Sequence, residues 1–260
     1  MNVRRLPWRV IASLTPLLMI GLSPGAMSAQ ALPTVRDIVD HLDDLWRSTS
    51  SHAMITMTVV RERGTRTLTL ESWSRGNDDA LIVIRAPARE AGTATLRAGD
   101  DLWNYAPRAD RLIRIPSGLL SDSWMGSHFT NDDLLRETSY LDDHEASLAW
   151  TEYEGQRMLQ VTMTPLPETP VVYTRLVFVL DPNHWTPLRA DYYDEGEITR
   201  SMVFDRVQQI GERYIPMRLV LRPADKPDER TEVVYDELQL DVPVDADLFT
   251  RRGLRRVAGN

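Results

Sequence analysis

The chain has 260 residues, no cysteine, and 38 acidic against 30 basic side chains, a formal charge of −8. Without cysteine there is no disulfide, no thiolate metal ligand and no thiol nucleophile. A chain this acidic is repelled by phosphate backbones, which argues against nucleic acid as a partner.

Residues 1–31 read as a secretory leader. Arg4, Arg5 and Arg9 precede an apolar run over residues 10–22, Pro24 and Gly25 end that run, and Ala29-Gln30-Ala31 offers a cleavage site. The run is shorter than the about 20 residues of a membrane anchor. No cysteine follows it to accept a lipid. Cleavage after Ala31 leaves 32–260 as a single periplasmic domain with a charge of −11.

Residues 34–47 carry one amphipathic helix. Thr34 can cap it, with Asp37 three residues on. Val35, Ile38, Val39, Leu42, Leu45 and Trp46 recur at helical spacing. Alternation then takes over. Ile55, Met57 and Val59 alternate with threonines, as do Leu68 and Leu70, and short strands follow over 81–84, 102–105 and 112–115. Beyond residue 147 the same period runs through 148–153, 158–163, 175–180, 188–193, 198–205, 213–222 and 231–240, with turns at 181–184 and 194–197 and a loop at 223–230. The pattern predicts a mainly β fold of about 11–13 antiparallel strands. A sheet this wide curls, and its concave face encloses a core or a cavity.

The segment 121–135 interrupts the strands. Leu119, Leu120, Trp124, Met125 and Phe129 are too apolar to lie exposed, and the concave sheet face is the surface open to them. They read as a lid, against the plainer reading of an ordinary core segment. Trp103 and Tyr105 join them as candidate lipid-binding residues.

Thr130-Asn131-Asp132-Asp133, with His128 and His144 nearby, invites a metal reading. Thr130 and Asp133 also fit a helix start, which is the favoured reading. There is no H-E-x-x-H, no G-x-S-x-G and no Gly-rich phosphate loop, so neither metal nor cofactor is expected. Residues 245–249 read as a capped turn docking Phe249. Arg251, Arg252, Arg255 and Arg256 then form a basic end, either a solvated tail or a surface for anionic headgroups or an acidic partner.

A-G-T-A-T-L (91–96), D-L-W-N-Y-A-P (101–107), S-W-M-G-S-H-F-T-N-D-D-L (123–134), Y-Y-D-E-G-E (192–197), R-Y-I-P (213–216) and P-A-D-K-P-D-E-R-T (223–231) together resemble the LolA-like periplasmic proteins, known as outer-membrane lipoprotein-sorting proteins. The subgroup is similar to a spirochaetal lipoprotein domain of the LolA/LolB fold; that domain is lipid-anchored, and this chain lacks the cysteine for it. The resemblance implies a half-open antiparallel β-barrel with helices over its opening. It implies an apolar cavity for acyl chains and no catalysis. The expected role is a monomeric periplasmic carrier of lipid or lipoprotein acyl chains, moving cargo between an inner-membrane transporter and an outer-membrane acceptor. Two alternatives stay open: a lipid-binding accessory of an inner-membrane exporter, and a metal-dependent extracytoplasmic hydrolase using Asp132, Asp133 and His128.

Overall fold

The computed structural model describes residues 32–45, 48–76, 78–135, 140–167, 169 and 171–259. The expected leader and the expected helix end at Trp46 and Arg47 lie outside the described residues. Leu32–Asn260 forms one compact unit.

Helix α1 (Val35–Asp44) starts where the sequence places it. Thr34 Oγ1 accepts a hydrogen bond from the Asp37 amide at 3.2 Å. Ile38, Val39 and Leu42 bury along one stripe, as the spacing requires.

Six strands precede the insert: β1 (Ser50–Arg61), β2 (Gly64–Arg75), β3 (Asp79–Ala86), β4 (Ala94–Ala98), β5 (Asp101–Ala106) and β6 (Arg111–Arg114). Seven follow it: β7 (His144–Tyr153), β8 (Gln156–Pro165), β9 (Arg175–Leu180), β10 (Pro187–Asp194), β11 (Glu197–Ile210), β12 (Arg213–Pro223) and β13 (Arg230–Leu240). All thirteen form one sheet in the order β6-β5-β4-β3-β2-β1-β13-β12-β11-β10-β9-β8-β7. Strands β6 and β7 are its two edges and do not pair, so the barrel is open.

Register fixes which side chains share a face. Ile84 lies opposite Leu70, Leu70 opposite Ile55, and Ile55 opposite Tyr235. Val233 faces Leu219, and Leu219 faces Phe204. Met202 faces Ala190, Ala190 faces Phe178, and Phe178 faces Val161. This inner face is largely apolar from edge strand β7 to β3. Helix α1 covers its β8–β11 half.

The outer face of β3–β5 has its own cover. A 3-10 turn (Ala246–Phe249) and helix α4 (Arg251–Ala258) set Leu248, Phe249 and Leu254 against Leu81, Val83 and Leu96. Two glycines allow the fit. A Cβ on Gly253 would stand 1.8 Å from Asp247 O, and one on Gly92 (φ +83°) would stand 2.5 Å from Ala258 O. The basic end is therefore a docked helix and not a solvated tail. Among the described residues no helix is long and apolar enough to cross a membrane.

Candidate functional site

The insert leaves the end of β6 and returns at the start of β7, the two unpaired edges. The chain itself thus bridges the opening. The insert contains 3-10 turns (Ser117–Leu119 and Trp124–Gly126) and the short helices α2 (Asn131–Leu135) and α3 (Tyr140–Asp143). A bridge between Ser123 and Thr130 closes a small loop. Within it the Trp124 amide donates to Phe129 O at 2.8 Å. The loop turns through Met125 (φ 50°) and Gly126 (φ 69°), and glycine takes that left-handed backbone without strain.

Trp124 is the inward anchor. It is 4% exposed and packs with Met57, Leu68, Leu70 and Ile84 on the inner face. Its indole N–H donates to Thr95 Oγ1 at 3.0 Å, and Thr95 Oγ1 donates to Asn104 Oδ1 at 2.8 Å. Strand β4 thus serves both covers: Thr95 faces Trp124, while Ala94 and Leu96 face α4. Phe129 packs against both the Trp124 cluster and the α1 cluster. Met125 is half-buried beside Trp124.

The expected site does not stay together. Leu119 is 44% exposed, and Leu120 is half-buried. The fold holds the backbone of Leu119, whose carbonyl accepts from Asn131 Nδ2 at 3.0 Å, and leaves its side chain to solvent. Trp103 and Tyr105 lie on the outer face with α4, so the sheet separates them from Trp124. The guanidinium of Arg251 sits 5.0 Å over the Trp103 ring. The Tyr105 hydroxyl donates to Asp110 at 3.1 Å.

Polar contacts pin the insert at two places. At the first, Arg61 donates to Gly126 O at 3.1 Å and Ser127 O at 3.0 Å, and Arg66 donates to Met125 O at 2.6 Å. His128 lies 2.8 Å from Thr231 Oγ1 through Nδ1 and 3.0 Å from Glu229 through Nε2. The hydrogen bond from His128, with the Glu62 amide and the Arg61 charge, holds the Glu229 carboxyl below its ordinary pKa. The 123–134 and 223–231 segments, far apart in sequence, meet here.

At the second place Asp133 takes both Arg200 Nη atoms at 2.7 Å. Asp133 also accepts from the Thr130 amide at 2.8 Å, while its own amide donates to Thr130 Oγ1 at 3.1 Å, a reciprocal helix cap. Burial alone would raise the Asp133 pKa, but the hydrogen bonds and charge of Arg200 outweigh it and hold the carboxyl low. Arg200 is pushed up in turn, burial opposing and Asp133 prevailing. Its guanidinium lies 4.2 Å over the Tyr192 ring.

Beside this pair is a cleft of about 240 Å³, walled by Phe129, Leu134, Tyr140, Tyr192 and Met202, with Val172 also lining it. Two residues of the expected Asp132, Asp133 and His128 cluster have other partners. His128 is directed to Glu229 and Thr231, Asp133 to Arg200 and Thr130. Among the described residues no three metal-ligating side chains converge. The sequence did carry a signal for Arg200: it stands in the inward alternation with Met202 and Phe204, a charge at a buried position.

The profile of a family described as an uncharacterized protein matches residues 76–256. No curated protein matches the chain. Solved structures do. An outer membrane lipoprotein-sorting protein domain from Vibrio parahaemolyticus aligns with a TM-score of 0.74 at 22% identity, over 85% of this chain and 97% of that one. A DUF1329 family protein from Desulfovibrio piger gives 0.76 at 23% identity, over 84% and 96%. A LolA superfamily protein from Nitrosomonas europaea gives 0.70 at 20% identity, over 85% and 100%.

Proposed function

We propose a carrier function from two premises: the chain belongs to the family of uncharacterized proteins matched over residues 76–256, and its fold is LolA-like. It binds the acyl chain of a lipid or lipoprotein on the inner face of the open sheet, in the periplasm, and hands it on toward the outer membrane. The observation that carries this reading is the apolar inner face, bridged by an insert that is anchored by Trp124 and pinned by a few polar contacts.

Magnitudes set the mechanism. The cleft of about 240 Å³ is smaller than the roughly 300–1,000 Å³ of ordinary ligand sites. That cleft admits a long acyl chain only if the insert moves. Each buried methylene contributes about 0.8 kcal/mol, so a long chain has enough to displace Trp124 and Phe129. Returning those side chains to the sheet offsets part of that gain, which keeps release possible. No covalent step is needed.

The test is to purify the protein from its native host, extract it with organic solvent and identify what elutes by mass spectrometry. Stoichiometric acylated material supports the carrier. A protein that holds none, and that binds no fluorescent fatty-acyl probe, overturns it.

A further inference from the structure

We propose that the β5–β6 rim, together with α4, docks the protein onto an anionic lipid bilayer, beside the opening that the insert bridges. The surface goes beyond the carrier reading and stands without it. Its first component is apolar. Six large apolar side chains are exposed among the described residues, and four of them, Ile113 (47%), Leu119 (44%), Leu166 (36%) and Val172 (59%), border the insert, the other two being Leu32 and Val207. Ile113 is on edge strand β6 and Leu119 follows it; Leu166 is tied to the insert's far end, its amide donating to Asp143 O at 2.9 Å. Exposed apolar groups gathered along one seam mark an interaction surface.

The second component is charge, and it lies on one side of the seam only. Arg108, Arg111 and Arg114 occupy the β5–β6 hairpin and β6. Helix α4 adds its own arginines to the outer face of the same edge, because Arg255 reaches Asp110 in that hairpin at 3.2 Å and Arg251 covers Trp103, which pairs with Arg114. Asp101 and Asp110 each hold one arginine of the rim. Arg108, Arg111 and Arg251 have no carboxylate partner among the described residues. In an acidic chain such a rim is out of character, and it complements a negative surface. Leu166 and Val172 lie on the other side of the seam, beside Asp143, and stay outside the contact.

The occupant is a membrane and not a soluble polyanion because of register. Arg111 and Ile113 are two apart on β6, so they share a face, the one of Asn104 and opposite to Trp103 and α4, and the edge therefore presents arginines on both sides of Ile113. A polyanion satisfies the arginine and leaves Ile113 in water. A bilayer accepts both, the guanidinium at the headgroups and the apolar side chain below them.

The experiment uses the chain from Leu32, a compact unit by itself, so that the apolar leader contributes nothing. Co-sedimentation is measured with phosphatidylglycerol–phosphatidylcholine vesicles and with pure phosphatidylcholine vesicles. Binding is expected on the anionic vesicles alone, and weaker at high salt. Arg108→Glu and Arg111→Glu should each weaken it about fivefold or more, and Ile113→Ser, which changes no charge, should weaken it with the salt dependence retained. Circular dichroism confirms that each variant folds. Fluorescent acyl-probe binding, read on the same samples, is expected to be unchanged, which separates failure of docking from failure of the carrier reading. No binding to anionic vesicles, equal binding by wild type and all three variants, or self-association abolished by Ile113→Ser would each overturn the proposal.

Discussion

Asp133 and Arg200 form a two-pronged ion pair, both bonds 2.7 Å, between the insert and the inner face of the sheet. Their side chains are 21% and 16% exposed. Each therefore depends on the other for the hydration it has lost. Removing one partner strands the other charge in a cleft walled by Phe129, Tyr192 and Met202. Asp133→Ala is expected to cost up to about 3–5 kcal/mol. The double variant with Arg200→Met should be more stable than Asp133→Ala alone. Urea melts of the four members of the cycle measure this, and additive effects would refute the coupling.

The same pair sets a pH dependence. The Asp133 pKa is depressed in the folded protein, so its contribution is complete above the ordinary Asp value of about 3.9. It is lost as pH falls through the depressed value. Urea stability measured from about pH 5 downward should therefore fall less steeply in Asp133→Asn than in wild type. Parallel curves would mean that Asp133 does not titrate differently on folding.

His128 pins the insert from the other side, through Thr231 and Glu229. His128→Ala leaves both partners without that contact and should cost about 1–3 kcal/mol. Because the lost contact holds the insert, fluorescent acyl probes should also enter faster. Stopped-flow mixing reads the rate. A destabilised variant with an unchanged probe on-rate would place His128 outside the gating step.

Gly253 predicts a packing failure remote from the cleft. Its missing side chain lets α4 approach the preceding turn, where a Cβ would lie 1.8 Å from Asp247 O. Gly253→Ala should cost about 1–3 kcal/mol through backbone displacement. It should expose the C-terminus to limited proteolysis while leaving acyl-probe affinity unchanged, since α4 covers the outer face and not the inner one. Wild-type resistance to proteolysis would contradict the close approach.

Much of the fold is legible in the sequence, and the reason is period. Alternation places the strands because one face of nearly every strand is buried: Met57, Leu68, Phe204 and Val161 are inward residues in register. Thr34 and Thr130 announce their helix starts for a local reason, a side chain reaching an amide three residues away. Partners across the sheet are not legible. Nothing local ties Arg61 to Gly126 or Glu229 to His128. Trp103 and Tyr105 group with Trp124 in the sequence only as aromatic residues near the insert. Period two tells that Trp103 and Thr95 point to opposite faces only once the β4–β5 register is known, and register is a long-range fact. The exposure of Leu119 is hidden because hydrophobicity states what a side chain prefers, not what a short 3-10 turn with an anchored carbonyl permits.

Trp124 decides between gate and core. It is buried, and its indole nitrogen is bonded to Thr95, so both readings predict that substitution matters. They differ in the kind of damage. A gate must leave and return, so its position contributes modestly to the stability of the sheet beneath it. A core residue contributes through the whole fold. Trp124→Phe keeps apolar bulk and removes the indole donor. Thr95→Val removes the acceptor and leaves the indole in place. If the hydrogen bond steers closure, each change should cost about 0.5–1.5 kcal/mol and should increase acyl-probe affinity, because the closed state that competes with cargo is weakened. Trp124→Asp is the severe case. As a core change it buries an unpaired charge, costs several kcal/mol and unfolds a domain of ordinary stability. As a gate change it drives the insert outward, leaves the β-rich circular dichroism intact and exposes the apolar face around Met57 and Leu70. Binding of a hydrophobic dye should then rise while the thermal transition of the sheet persists. Loss of the folded spectrum in Trp124→Asp, with reduced probe affinity in Trp124→Phe, would make Trp124 a core residue and leave gating to Phe129 and the Asp133–Arg200 pair.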